Sequence, residues 1–153
     1  FAPDDYEFYS QLAINLIRTG AIEDAYKTLQ ESLSHFPDKP ELNMMIGDIL
    51  AGRLEYERAL SHYQRVIQAK SGLARAYLLS GAIHEVRQQY DLAEDMYKKV
   101  LQVESTNPLG YYYLARVNIV AGKLEDAKRL LNQALELRPN LLKAREFLAW
   151  TLA

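Results

Sequence analysis

Apolar positions recur along this chain at intervals of three and four residues, the spacing of a helix that buries one face. Short breaks separate such stretches, and Gly20 in one of them can adopt the left-handed conformation that helix ends often need. Asn107-Pro108 is typical of an N-cap followed by proline at the first helical position. The pattern therefore predicts short amphipathic helices joined in hairpins. The clearest apolar stripe consists of Leu124, Ala127, Leu131, Ala134, Leu135 and Leu137.

The helical pattern repeats every 34 residues without a gap. Four alanines stand at this interval, each followed four residues later by a large apolar residue and preceded twelve residues earlier by Gly or Ala. Small residues let two helix backbones approach closely, and a single hairpin cannot bury both of its apolar stripes, so the hairpins must stack. The alanines are Ala25, Ala59, Ala93 and Ala127, the large residues are Leu29, Tyr63, Tyr97 and Leu131, and the small ones are Ala13, Gly47, Gly81 and Ala115.

Composition narrows the class of protein. Of 153 residues, 49% are hydrophobic, too many for a disordered segment, yet no apolar run approaches the ~20 residues of a membrane span. The formal charge of −2 argues against a nucleic-acid binder, and the lack of cysteine excludes disulfides and thiolate metal sites. Because cysteine-free proteins occur in the cytoplasm and the periplasm alike, a soluble protein of either compartment fits. The chain begins at Phe1, which suggests a processed or excised piece.

These residues resemble the tetratricopeptide repeat, whose pattern places W-x2-L-G-x2-Y before A-x3-F and a closing proline. The resemblance implies an all-α, right-handed superhelical solenoid of antiparallel helix hairpins, with a single array over residues 1–153. Trp150 and Leu152 are apolar where a terminal repeat normally has a polar face. We therefore expect the array to be a fragment of a longer protein, the alternative being that another molecule covers this end. The predicted repeats are residues 6–39, 40–73, 74–107 and 108–141, and residues 142–153 match the first helix of a fifth repeat.

Candidate catalytic groups are few and dispersed. The motifs H-E-x-x-H, G-x-S-x-G and G-x-x-x-x-G-K-[ST] do not occur, and acidic pairs such as Glu23-Asp24 stabilise the dipoles of the second helices. Asn43 and His84 stand where the family packs aromatic rings, so each needs a hydrogen-bonding partner or water. The sequence predicts no enzyme activity, no cofactor and no metal site. The three histidines fall on different helices and are His35, His62 and His84.

The resemblance implies that the first helices of the hairpins line a concave groove, which binds a peptide, helix or extended segment of a partner. This groove is apolar and aromatic, and only Arg75 is basic among the positions with which one subtype of the family grips a C-terminal carboxylate. We expect Tyr112→Ala to weaken binding with little loss of stability, the alternative being that such side chains pack between helices. The predicted groove residues are Ile14, Met44, Asp48, Arg75, Leu78, Tyr112, Tyr113, Arg116 and Trp150.

The sequence favours a non-catalytic scaffold that binds another protein or peptide, and not nucleic acid, within a multiprotein assembly. Two alternatives remain: the interaction segment of a larger enzyme whose catalytic domain lies outside this chain, and a scaffold that self-associates through its array ends. Residues 1–39 carry three basic and seven acidic side chains, a net charge of −4, whereas residues 108–153 carry seven basic and four acidic ones, a net charge of +3. Two interpretations of this gradient stay open: it orients a charged partner or favours head-to-tail association, or it is random variation of surface residues.

Overall fold

A computed structural model describes residues 5–152, and all of the regular structure in that range is helical. Phe1 and the last residue of the predicted fifth repeat lie outside the described residues. The all-α fold class is therefore confirmed. The helices are α1 (Tyr6–Arg18), α2 (Ile22–His35), α3 (Pro40–Gly52), α4 (Tyr56–Gln68), α5 (Leu73–Val86), α6 (Tyr90–Val103), α7 (Pro108–Val120), α8 (Leu124–Leu137) and α9 (Leu142–Leu152).

One turn geometry recurs in the three-residue links that join α1 to α2, α3 to α4, α5 to α6 and α7 to α8. The middle residue is left-handed, with φ between 60° and 82°. After Gly20, the N–H of Ala21 donates to the Leu16 carbonyl at 2.9 Å, the wider bond of a Schellman motif. The turn expected at Gly20 is thus confirmed, and links this short make the joined helices antiparallel. The left-handed residues are Gly20, Leu54, Gln88 and Gly122.

The chain forms two compact units, residues 1–72 with α1 to α4 and residues 73–153 with α5 to α9. In each unit a second helix packs on its own first helix and on the first helix of the next hairpin: α2 contacts α1 and α3, α6 contacts α5 and α7, and α8 contacts α7 and α9. The second helix thereby wedges between consecutive first helices. The spaces left between those first helices are where the candidate site lies.

A pair of complementary side chains closes each hairpin. A Cβ atom on Gly47 would lie 2.6 Å from Cε1 of Tyr63, and one on Gly81 would lie 2.5 Å from Cε1 of Tyr97, so only glycine fits beneath these rings. The equivalent pairs of the other two hairpins combine alanine with leucine, all fully buried. A glycine is paired with the larger tyrosine and an alanine with the smaller leucine, so the packed volume is similar in all four hairpins. The alanine–leucine pairs are Ala13 with Leu29 and Ala115 with Leu131.

Local polar contacts agree with the sequence. Oδ1 of Asn107 accepts hydrogen bonds from the N–H groups of Leu109 and Gly110 at 3.0 Å, which confirms the predicted N-cap. Oδ1 of Asn43 lies 2.9 Å from Nδ1 of His62. Nδ1 of His84 lies 2.9 Å from Oε1 of Gln89. Asn43 is buried and His84 is half-buried, and each polar group that replaces one of the family's aromatic rings has the partner that its burial requires.

Candidate functional site

Three pockets lie between consecutive first helices, each within one unit. Their volumes are about 390, 380 and 470 Å³. The α1–α3 pocket is lined by Ile17, Ile22, Met45, Asp48, Ile49, Gly52 and Arg53. The α5–α7 pocket is lined by Ala82, Glu85, Val86, Tyr90, Tyr113, Arg116 and Val120. The α7–α9 pocket is lined by Ile119, Lys143, Glu146, Phe147 and Trp150.

The three pockets occupy equivalent places in the repeat. Two positions of the later first helix show this, because each is separated by multiples of 34 residues from its counterparts. The same hairpin geometry therefore generates each pocket, and the side chains placed there decide what it can bind. The first set of equivalent residues is Met45, Tyr113 and Phe147, and the second is Asp48, Arg116 and Trp150.

The α1–α3 pocket is aliphatic with charged groups at its edge. Asp48 is half-buried and accepts a hydrogen bond from the Tyr63 hydroxyl at 2.8 Å. The guanidinium of Arg53 lies 2.6 Å from Oε2 of Glu23 and 4.5 Å from the ring centroid of Tyr26. This arrangement suits an apolar side chain whose surroundings are polar at the rim.

The α5–α7 pocket contains a connected ion pair. A guanidinium nitrogen of Arg116 lies 2.7 Å from Oε1 of Glu85, and the Tyr97 hydroxyl donates to Oε2 of the same carboxylate at 2.9 Å. Burial raises the pKa of Tyr97, and the negative charge of Glu85 adds to that rise, so the phenol remains a donor. The ring of Tyr97 stacks on that of Tyr113 at 5.3 Å between centroids. The carboxylate is thus held on both of its oxygens.

The α7–α9 pocket is aromatic. Trp150 is 62% exposed, and Phe147 packs edge-on against the Tyr112 ring with 6.0 Å between centroids. Nζ of Lys143 lies 3.2 Å from Oε2 of Glu146 at the exposed edge. Phe147 and Trp150 supply large flat surfaces to this pocket, and such rings provide contact area at little cost in conformational entropy.

The structure brings four of the predicted groove residues into these pockets and leaves three outside their linings. Ile14 and Arg75 are exposed, and Leu78 is half-buried against the cluster around Ala93 and Tyr97. Those in the pockets are Asp48, Tyr113, Arg116 and Trp150.

Two other predicted groove residues are buried, which corrects the expectation that they are exposed. Tyr112 is 6% exposed because Phe147 of α9 covers its ring. Met44 is 9% exposed, and a Cβ atom on Gly72 would lie only 3.6 Å from its Cε atom, so the link after α4 covers it. Both side chains are therefore packed in the interior. We call such buried positions the framework, and the residues that line the three pockets the lining.

Sequence reasoning missed the pocket residues in the last turn of the first helices. Glu85 and Ile119 occupy this turn, as do Val86 and Val120, which are 66% and 57% exposed. The signal was present, because a β-branched apolar residue ends both α5 and α7 beside the link. These two valines add apolar surface to the α5–α7 pocket.

Residues 5–152 offer neither a membrane span nor a metal site. None of the helices there is long and apolar enough to cross a membrane. Nor does this part of the chain gather three His, Asp or Glu side chains that could hold a metal ion.

Comparisons with known proteins point to one repeat family. Two family models described as tetratricopeptide repeat match residues 10–74 and 87–150. Anaphase-promoting complex subunit 3 of Schizosaccharomyces pombe is 26% identical over 110 residues, which cover 72% of this chain and 16% of that protein. Human protein O-mannosyl-transferase TMTC1 is 28% identical over 130 residues, which cover 85% of this chain and 14% of that protein.

The fold also matches solved structures. Residues from 41 to the end of MamA from Desulfovibrio magneticus RS-1 superpose with a TM-score of 0.82 and 24% identity, over 95% of this chain and 82% of that one. Identity at this level shows that the fold is shared and no more. The chain spans between 14% and 26% of the length of the curated relatives that it matches.

Proposed function

This chain belongs to the tetratricopeptide repeat family, and we propose that it is a non-catalytic scaffold that binds a segment of another protein in the pockets between its first helices. The observation that carries the proposal is that equivalent positions form three pockets, each of 380 to 470 Å³ and each with apolar or aromatic walls. Volumes of this size lie within the range of ligand-binding pockets and leave room for side chains of a bound segment. A helix or an extended strand can place side chains in successive pockets.

The hydrogen bonds and ion pairs that the polar side chains make within the chain support a role in binding without catalysis. Glu85 is held by Tyr97 and Arg116, and His62 and His84 pair with amide side chains of their own unit. A general base needs a lone pair directed at substrate, and the contacts of Glu85 are structural ones instead. The tetratricopeptide repeat is typically an interaction module.

The relatives support a place within an assembly. The name of the fission-yeast relative describes it as a subunit of a complex, and we extend that role to this chain as the favoured hypothesis. The match to a human mannosyl-transferase, of which it covers 14%, favours a second candidate: the interaction segment of a larger enzyme. In both cases the pockets perform the same task.

A selection of random dodecapeptides displayed on phage tests the proposal. We expect enriched peptides whose affinity falls about tenfold or more in Ile17→Asp, which places a charge in the α1–α3 pocket, or in Trp150→Ala, which removes an aromatic side chain from the α7–α9 pocket. Gln133→Ala, at an exposed position of α8, is the matched control and should leave the affinity unchanged. Peptides that bind all variants equally, or a failure to enrich any peptide, would refute binding in the pockets.

A further inference from the structure

Arg116 is held in a fixed position by its neighbours. Its guanidinium carbon lies 5.7 Å from the ring centroid of Tyr112 and 5.3 Å from that of Tyr113, and one of its nitrogens contacts Glu85. A guanidinium that is stacked and paired in this way loses little freedom when it binds a ligand. The group carries five N–H donors in a planar fork, more than one carboxylate can use.

The exposed charge of the α5–α7 pocket is mainly positive. The side chain of Arg116 is 34% exposed, whereas that of Glu85 is 13% exposed and accepts a second hydrogen bond from Tyr97. Burial raises the pKa of the Tyr112 phenol, while the positive charges of Arg116 and Lys143 oppose that rise. Residues 108–153 carry a net charge of +3, which extends the same sign beyond the pocket.

An apolar pocket lies one helical turn away from this cation. Arg116 lines the α5–α7 pocket and Ile119 lines the α7–α9 pocket, and the two residues stand three positions apart on α7. Side chains with that spacing are neighbours on one helix surface, with Cβ atoms about 5–6 Å apart. Phe147 and Trp150 complete the apolar wall. A ligand that crosses α7 meets a guanidinium and then an aromatic surface.

We propose that the protein segment bound by unit 2 carries an Asp or Glu side chain that binds Arg116 in the α5–α7 pocket, and a large apolar side chain that enters the α7–α9 pocket. The proposal rests on the protein-binding role proposed above and names the chemistry of the partner. The spacing on α7 places the two ligand residues two apart in an extended segment, where alternate residues are about 7 Å apart, or three to four apart in a helix.

Random dodecapeptides displayed on phage are the probe, selected at low salt on the chain of residues 1–153. We expect the enriched pool to combine an acidic residue with an aromatic or large aliphatic one at these spacings. In the enriched peptides, replacing Glu with Gln should weaken binding about tenfold. Arg116→Gln should weaken binding to the acidic peptide by a similar factor, and the two changes together should cost no more than either alone.

Glu85→Gln distinguishes recognition from a structural role. Gln can still accept the hydrogen bond from Tyr97, but without a negative charge it competes less with the ligand carboxylate for Arg116. We expect binding of the acidic peptide to tighten a fewfold, in the direction opposite to Arg116→Gln. If Arg116 served only to hold the fold, both variants would bind more weakly. Melting temperatures of both variants, by circular dichroism, check that each remains folded.

The outcomes separate this proposal from the broader one. A pool that depends on Trp150 but lacks acidic residues, or that is enriched in Lys and Arg, overturns the carboxylate specificity and leaves protein binding intact. Full affinity for the acidic peptide in Arg116→Gln overturns it as well. If no enriched peptide depends on any pocket residue, both proposals fail together.

Discussion

The α1–α3 and α5–α7 pockets occupy equivalent places in their hairpins but carry different side chains at equivalent positions. Asp48 of the first corresponds to Arg116 of the second, and aliphatic Ile17 corresponds to Glu85. The framework around them is alike, since in both units a tyrosine covers a glycine and donates its hydroxyl to a carboxylate of its own hairpin. Packing therefore fixes the buried positions, while the lining is free to differ. Under the proposed function, the residues that line each pocket decide which segment it binds.

Removing a framework side chain should have the largest effect. Tyr112 is 6% exposed and packs in the cluster that contains Leu131 and Ala144. Replacing this ring with a methyl group creates a cavity, so Tyr112→Ala should lower the free energy of unfolding by about 3–5 kcal/mol. Urea denaturation measures this change.

The matched control for Tyr112→Ala is a lining residue. Trp150 is mostly exposed, and Trp150→Ala should change the free energy of unfolding by about 0.5 kcal/mol or less. If Tyr112→Ala were as stable as the wild type, the ring would belong to the lining. The distinction between framework and lining would then fail at the position where sequence and structure disagree.

Adding a methyl group to the buried glycine that lies beneath a tyrosine should overpack both units to a similar extent. Gly47→Ala and Gly81→Ala each press a Cβ atom into a fully buried tyrosine ring. Overpacking costs about 1–3 kcal/mol and the gain in helix propensity is about 1 kcal/mol, so we expect a net loss of up to about 2 kcal/mol in each variant. Thermal or urea denaturation should give similar values for the two.

Two further variants test that explanation. Gly52 lies at the exposed end of α3, and a Cβ atom added there would meet nothing within 4 Å, so Gly52→Ala should be neutral or stabilising. Gly47→Ala combined with Tyr63→Leu recreates the alanine–leucine pair of the first hairpin and should recover part of the loss. Unequal losses at Gly47 and Gly81 would show that the two units do not share one framework.

The framework could be predicted from the sequence, because the packing of stacked hairpins requires small and large apolar residues at a regular interval. The alanine series and the glycine turn at Gly20 follow directly from how hairpins stack, and the structure agrees. Exposure at the first helices could not be predicted this way, since it depends on what the neighbouring elements cover. Tyr112 lies beneath Phe147, a residue 35 positions away, and Met44 lies beneath a link. Periodicity does not encode such contacts.

The contacts of Glu85 with Tyr97 and Arg116 could not be predicted from the sequence for a similar reason. A carboxylate in the last turn of a helix is usually solvated, and nothing local to Glu85 indicates that Tyr97 and Arg116 meet it. One signal was available. Each glycine of the small-residue series is paired with a tyrosine sixteen residues later, whose hydroxyl needs an acceptor beyond the glycine. Polar residues shortly after Gly47 and Gly81 were therefore candidates for that acceptor.

Relieving the strained turns should stabilise both units by a small and similar amount. Leu54 and Gln88 are exposed and left-handed, where glycine stands in the other two hairpins. A side chain in that conformation costs about 1–2 kcal/mol, partly offset by the greater freedom of glycine in the unfolded chain, so Leu54→Gly and Gln88→Gly should each gain about 0.5–1 kcal/mol. Gly122→Ala, at the equivalent turn, should lose a similar amount. A gain in the free energy of unfolding at only one of the two sites would show that the turns of the two units are not equivalent.

The smallest expected effect is a pH dependence of the free energy of unfolding at the position of His62, which unit 2 should lack. Burial lowers the pKa of His62, and the positive charges of Arg65 and Arg58 lower it further, whereas the equivalent residue in unit 2 is Met96. As the pH falls below the ordinary value of 6.5, the unfolded chain binds a proton at His62 that the folded chain does not, so stability decreases until the pH reaches the folded pKa. Urea denaturation at about pH 7.5 and about pH 5.5 should show a smaller decrease for His62→Gln than for the wild type. Replacement of the exposed His35 by Gln is the control for histidine content, and a decrease unchanged in His62→Gln would assign the pH dependence to groups shared by both units.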